Sequence, residues 1–160
     1  MKQITHSAHL TWTGNTGAGT KSYDSYSRDC EITFEGKPSF RGTADPGFMG
    51  NPALQNPKDF LISALSSTHM LYFLALCAKY SITVTSYEDT PTGYVQLNPD
   101  GSGLYEKLIL RPKVSFLEAD KLDRIKSLHD RAQKQSLITD SVKFPIHIEA
   151  EFITETNNAS

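Results

Sequence analysis

One stretch constrains this chain more than any other. From Asn56-Pro57-Lys58-Asp59-Phe60 to Tyr80 the sequence stays apolar for about six helical turns, with no formal charge between Asp59 and Lys79. Asn56 suits an N-cap, Pro57 the first helical position, and Asp59 puts a carboxylate in the first turn, where the helix dipole favours it. A surface helix would carry charge along one face. This helix is therefore expected to be buried on all sides. Its polar groups gather at one place, Ser66-Ser67-Thr68-His69, and a polar knot inside a buried helix suggests a site.

The segment is nearly long enough to span a bilayer, but Ser63 and the Ser66 to His69 knot break its apolarity. A core helix is the better reading, with no membrane role. The 160 residues fit one domain spanning 1–160, with residues 156–160 as a disordered tail. Net charge is −2 with scattered basic residues, so no nucleic-acid surface is expected. No signal peptide is read at the N-terminus. Two cysteines, Cys30 and Cys77, then suggest a reducing, cytoplasmic compartment without a disulfide framework.

Around the helix the pattern is mostly strand. His6 to Trp12, Tyr23 to Phe34 and Ser39 to Ala44 read as strands, the last two joined by a turn at Glu35-Gly36-Lys37-Pro38. Gly14 to Gly19 reads as a turn or mobile loop; no Gly-Lys-Ser/Thr follows, so it is not a phosphate loop. Ser81 to Leu97 and Leu104 to Phe116 form a long hairpin about Asn98-Pro99-Asp100-Gly101. Pro112 suggests an edge or a bulge in its second strand. Glu118 to Ser136 reads as a second helix, with Leu122, Ile125, Leu128 and Ala132 on its apolar face. Ile146 to Phe152 alternates as a final strand. The class is α+β. One small sheet covers only one face of an all-apolar helix, so a homodimer is implied, since the other face would be a large exposed patch.

Particular strings now carry a resemblance. Pro57-Lys58-Asp59-Phe60-Leu61, Ala64-Leu65-Ser66-Ser67-Thr68-His69-Met70-Leu71 and Ser86-Tyr87-Glu88-Asp89 resemble the osmotically induced protein C and organic hydroperoxide resistance family (OsmC/Ohr). Tyr26-Ser27-Arg28-Asp29, Leu128-His129 and Ser141-Val142-Lys143-Phe144-Pro145 fit the same pattern. The resemblance covers nearly the whole chain. It implies an intertwined dimer with antiparallel sheets wrapped around long central helices. It also implies thiol peroxidase chemistry without a cofactor. A cysteine thiolate on the central helix attacks an organic hydroperoxide, a second cysteine resolves the sulfenic acid as a disulfide, and an arginine and a glutamate assist the first thiol.

Carried over residue by residue, that scheme fails here. Thr68 stands at the first cysteine's position and Ser136 at the second's; Lys58 replaces the glutamate, and Arg28 alone matches. A hydroxyl is far less acidic than a thiol and does not cycle through sulfenic acid. The expectation is a family member without cysteine-based activity that binds a small apolar or hydroperoxide-like ligand at a dimer-interface pocket. Asp59, His69, Tyr72 and His129 are the pocket candidates, with His129 read as a rim or surface residue.

Alternatives stay open. Cys30 lies two residues from Arg28 in the expected strand, on the same face, and a divergent redox protein would use it. Cys77 sits in an apolar context and reads as core. A purely structural dimer is the third possibility. Thr68-His69 is a weak hydrolase signal, because adjacent helix residues diverge by about 100° and no third group orients the imidazole. The histidines show no metal-ligand spacing.

Overall fold

In the computed structural model, residues 3–155 are described; the expected tail at 156–160 lies outside them. The contacts divide into two compact units, one up to Leu61 and one from Ile62 onward. The boundary falls inside the long helix α1 (Pro57–Lys79). The class is α+β, as expected.

The first unit holds a three-stranded antiparallel sheet, β1 (His9–Trp12), β2 (Cys30–Thr33) and β3 (Phe40–Gly42), in that spatial order. The expected second strand, Tyr23 to Phe34, is mostly loop. That loop packs by its own groups: Trp12 meets Tyr26 edge-on at 5.7 Å and donates from Nε1 to the Ser27 carbonyl at 2.8 Å. A Cβ at Gly14 would lie 1.8 Å from the Ser27 carbonyl oxygen, so only glycine fits there. The β2–β3 turn is the expected one, with Gly36 at φ 69°. The first turn of α1 closes by reciprocal capping. Asp59 Oδ2 accepts from the Asn56 N–H at 2.8 Å, and Asn56 Oδ1 accepts from the Lys58 N–H at 2.9 Å. Asp59 is thereby a cap rather than a pocket lining.

The second unit holds two three-stranded sheets, ordered β4-β7-β9 and β5-β6-β8. Here β4 is Val84–Asp89, β5 Thr92–Leu97, β6 Gly103–Leu110 and β7 Pro112–Phe116. The helix α2 (Leu122–Gln135) leads to β8 (Ile146–Ile148) and β9 (Glu151–Thr154). The expected hairpin is real but bent: β4 pairs with β7 and β5 with β6, both antiparallel. The expected final strand is broken too, into β8 and β9, which pair in parallel with β6 and β7. Both sheets are thus mixed rather than antiparallel, because α2 supplies the crossover that parallel pairing needs.

The bend crosses all three layers of chain at one level. The Arg111 N–H donates to Asp89 Oδ1 at 2.7 Å, while its side chain donates to Thr92 Oγ1 at 2.8 Å and Glu149 Oε2 at 3.0 Å. Pro112 is neither an edge nor a bulge residue. It opens the central strand β7, the position where a missing N–H is tolerated.

Phe73, Leu76 and Cys77 of α1, Val114 and Phe116 of β7 and Ile125, Leu128 and Ala132 of α2 form the core of this unit. The spacing read for α2 therefore faces inward as expected. Within one chain α1 is not buried on all sides, and the rest of the chain covers one of its faces alone, as the sequence reading has it. It is buried along one side, at Leu65, His69, Phe73, Leu76 and Cys77, and open along the other, at Ser63, Ser67, Leu71, Tyr72, Ala75 and Ala78. Leu71 is 62% exposed and Tyr72 36%. Within one chain the helix is half covered, since there is sheet and helix for one flank alone.

Phe73→Ala should cost about 3–5 kcal/mol, because a fully buried ring leaves a cavity. Urea melts of the two proteins check this; a loss under about 1 kcal/mol contradicts the central place given to Phe73.

Candidate functional site

The polar knot of α1 is split by helical geometry. His69 falls four residues after Leu65 and four before Phe73, on the inward stripe, and is 1% exposed. It meets His129 of α2, which falls four residues after Ile125 on that helix's inward stripe and is 3% exposed. His69 Nε2 and His129 Nδ1 lie 2.9 Å apart, one ring donating to the other. The His129 ring stacks on Phe73, centroids 3.9 Å apart and planes 14° off parallel. His69 lies in the same stack, 5.2 Å from the His129 ring.

His129 is thus a core residue, not a rim or surface one, and His69 does have an orienting partner. Its spacing to Leu122 and Ile125 is the signal that places it inside. The pairing itself joins residues 60 apart in sequence and left no trace in local pattern.

Burial pushes both imidazoles well below the ordinary 6.5. The Asp89 charge partly opposes this for His69, and the neighbouring His69 adds to it for His129. Both rings are therefore neutral in the folded protein at pH 7. The His129 Nε2 is buried with no partner among the described residues.

Ser136 ends α2 and is fully buried. It lies two turns beyond His129, on the same helix face. Its Oγ accepts from the Thr139 N–H at 3.2 Å and the Thr139 hydroxyl at 2.8 Å, so it closes the turn at Thr139–Ser141. Thr68 is half-buried beside His69, at the edge of the open face that carries Tyr72.

In the first unit, Lys58 Nζ pairs with Asp45 Oδ2 at 2.5 Å. Arg28 lies outside β2, so the expected shared strand face with Cys30 does not arise. The guanidinium sits between the Tyr23 and Tyr26 rings, 4.3 Å and 4.2 Å from their centroids, and donates to the carbonyls of Tyr26 and Tyr23. Cys30 is half-buried and Cys77 buried, both as free thiols. Burial pushes the Cys77 thiol up to about 12, which keeps it protonated and unreactive. Among the described residues no group of three or more His, Cys, Asp or Glu is placed to hold a metal ion.

The family model for OsmC-like proteins matches residues 50–151, a span that includes α1, the strands β4 to β8 and α2.

The chain belongs to the OsmC-like family.

Among solved structures, this OsmC-like protein is similar to an OsmC-like protein of unknown function from Vibrio cholerae. The identity is 30%, covering 92% of this chain and 99% of that one, with a TM-score of 0.82. An OsmC-like protein from Mycoplasma pneumoniae is 14% identical over 95% of this chain and 99% of its own, with a TM-score of 0.72. An organic hydroperoxide resistance protein from Elizabethkingia anophelis is 13% identical over 96% of this chain and 99% of its own, with a TM-score of 0.67. The last two share the fold. No curated protein matches the chain.

The buried histidines give a pH signature. Their folded-state values lie below those of the unfolded chain, so acid protonates the unfolded state first. Their contribution to stability is full above about pH 6.5 and falls as pH drops below it, by up to about 1.4 kcal/mol per pH unit for each ring. Urea melts across this range should show the loss, and His129→Phe should flatten it. An equally steep profile in that variant would contradict the assignment.

Proposed function

We propose that this OsmC-like protein has lost cysteine-based peroxidase chemistry and acts as a homodimeric binding protein for a small apolar or amphipathic ligand. One observation carries the reading. The positions at which the family resemblance expects two redox cysteines hold hydroxyls, and one of these, Ser136, is fully buried as a turn cap.

The supporting groups agree. Arg28 is committed to two tyrosine rings and two carbonyls of its own loop, and Lys58 pairs with Asp45. Cys77 is too buried to form a thiolate. Dimerisation rests on the open flank of α1. Leu71, Tyr72, Ala75 and Ala78 present an apolar stripe beside Thr68, and a second copy of the chain covers such a stripe with the same surface of its own. A ligand enters at the Thr68 edge of that interface. The free thiols suit a reducing, cytoplasmic setting.

Stopped-flow mixing of the purified protein with an alkyl hydroperoxide and a dithiol should show no turnover above the uncatalysed rate, and Cys30→Ser should change nothing. Fast, stoichiometric peroxide reduction overturns the proposal. For the dimer, sedimentation should give twice the chain mass for the native protein, and Leu71→Glu should shift it to monomer. A native monomer removes the interface reading.

A further inference from the structure

Two arginines of α2 converge on one tyrosine at the end of α1. Tyr80 directly follows α1 and falls four residues after Leu76, on the covered side of the helix. Arg124 and Arg131 stand seven residues apart on α2, two turns along one face. The Arg124 guanidinium carbon lies 4.7 Å from the centroid of the Tyr80 ring, and that of Arg131 lies 5.5 Å from it. Arg131 Nη1 also donates to the Tyr80 hydroxyl oxygen. Tyr80 and Arg131 are half-buried, and Arg124 is exposed.

The fold gives these cations nothing to neutralise. None of the ion pairs among the described residues includes Arg124 or Arg131. The carbonyls at the end of α1 attract a cation through the helix dipole, but they are already taken. Those of Leu76, Cys77 and Ala78 accept backbone N–H groups, and that of Ser81 accepts from Lys121 Nζ at 2.7 Å. Like charges gathered on one ring repel, and the face of the ring offsets only part of that.

Donors dominate the cluster. Arg124 makes no side-chain hydrogen bond among the described residues, and Arg131 spends one N–H on Tyr80. The Tyr80 hydroxyl accepts that bond and keeps its own proton to donate. Ser127, between the arginines on α2, spends its proton on the Arg124 carbonyl at 2.7 Å and adds no charge. Two fixed positive charges with open N–H forks match a compact dianion that accepts on several sides, which describes a phosphate group. A carboxylate brings one charge and leaves the second guanidinium unanswered. An extended anionic surface fits poorly, because exposed Asp123 and Asp130 each adjoin one of the arginines on α2.

We propose that Arg124, Arg131 and the Tyr80 hydroxyl bind the phosphate group of a small phosphate monoester. The site shares no residue with the open flank of α1 and stands independently of the peroxidase question.

Methyl phosphate titrated into the full-length protein, with the arginine Nε–H signals followed by NMR, tests it. The expected result is saturable shifts of the Arg124 and Arg131 signals, with none from potassium chloride at matched ionic strength and weaker ones from acetate. Arg124→Gln should weaken binding by about tenfold or more, the loss of charge-assisted hydrogen bonds. Shifts that fail to saturate, that appear equally with chloride or acetate, or that persist undiminished in Arg124→Gln overturn the proposal. If Arg124→Gln does not fold, Arg124→Lys decides. It keeps the charge and loses the fork, so weakened binding supports the site and binding at full strength overturns it. Vesicles of phosphatidylcholine with phosphatidic acid should not retain the protein. Retention there, without a response to methyl phosphate, overturns the small-molecule assignment.

Discussion

The contact between His69 and His129 ties the second unit together. It is a single hydrogen bond between two neutral rings, sealed by the face of Phe73. Burying an imidazole is costly unless a partner meets it, and each histidine supplies that partner for the other. The bond therefore specifies how α1 and α2 lie side by side, where an apolar contact alone would let them slide. Ser136, on the same face of α2, and Thr68, next along α1, take their positions from this contact. The hydroxyls of Thr68 and Ser136 are thus held by packing that requires no thiol.

The second constraint is the bend at Arg111. Three chain segments turn at one level, and a bend in paired strands leaves ladder groups unmatched. Asp89, Thr92 and Glu149 take up the Arg111 donors there. The same Asp89 also receives the Ser66 hydroxyl from α1, so one carboxylate joins the sheet bend to the central helix. That dual use makes the end of β4 more than a strand terminus, although Glu88-Asp89 looks in sequence like an ordinary exposed strand end.

Much of the fold was legible locally. Asn56, Pro57 and Asp59 announce the start of α1, and the structure closes it with those groups. Leu122, Ile125, Leu128 and Ala132 give the inward face of α2 through spacing alone. Gly36 and its neighbours mark a hairpin because φ above zero favours glycine. The misreadings share a cause. A run of alternating residues from Ile146 to Phe152 looks the same whether it is one strand or two strands broken at a bend. His129 looks polar in isolation and is placed inside by a partner 60 residues away. Arg28 looked available to a thiol, yet its own loop supplies two tyrosine rings and two carbonyls that hold it.

By itself the sequence determined the α+β class, the extent of the two helices and the inward stripe of α2. These follow from periodicity, capping chemistry and residue identity, which are local properties. Only the tertiary structure decided which flank of α1 is covered, that His69 and His129 share a buried hydrogen bond, that the sheets bend at Arg111 and that Asp89 faces Ser66. Those depend on which distant segments meet. A helix that is apolar on all sides fixes its own form, but it does not state which of its sides the rest of the chain can reach.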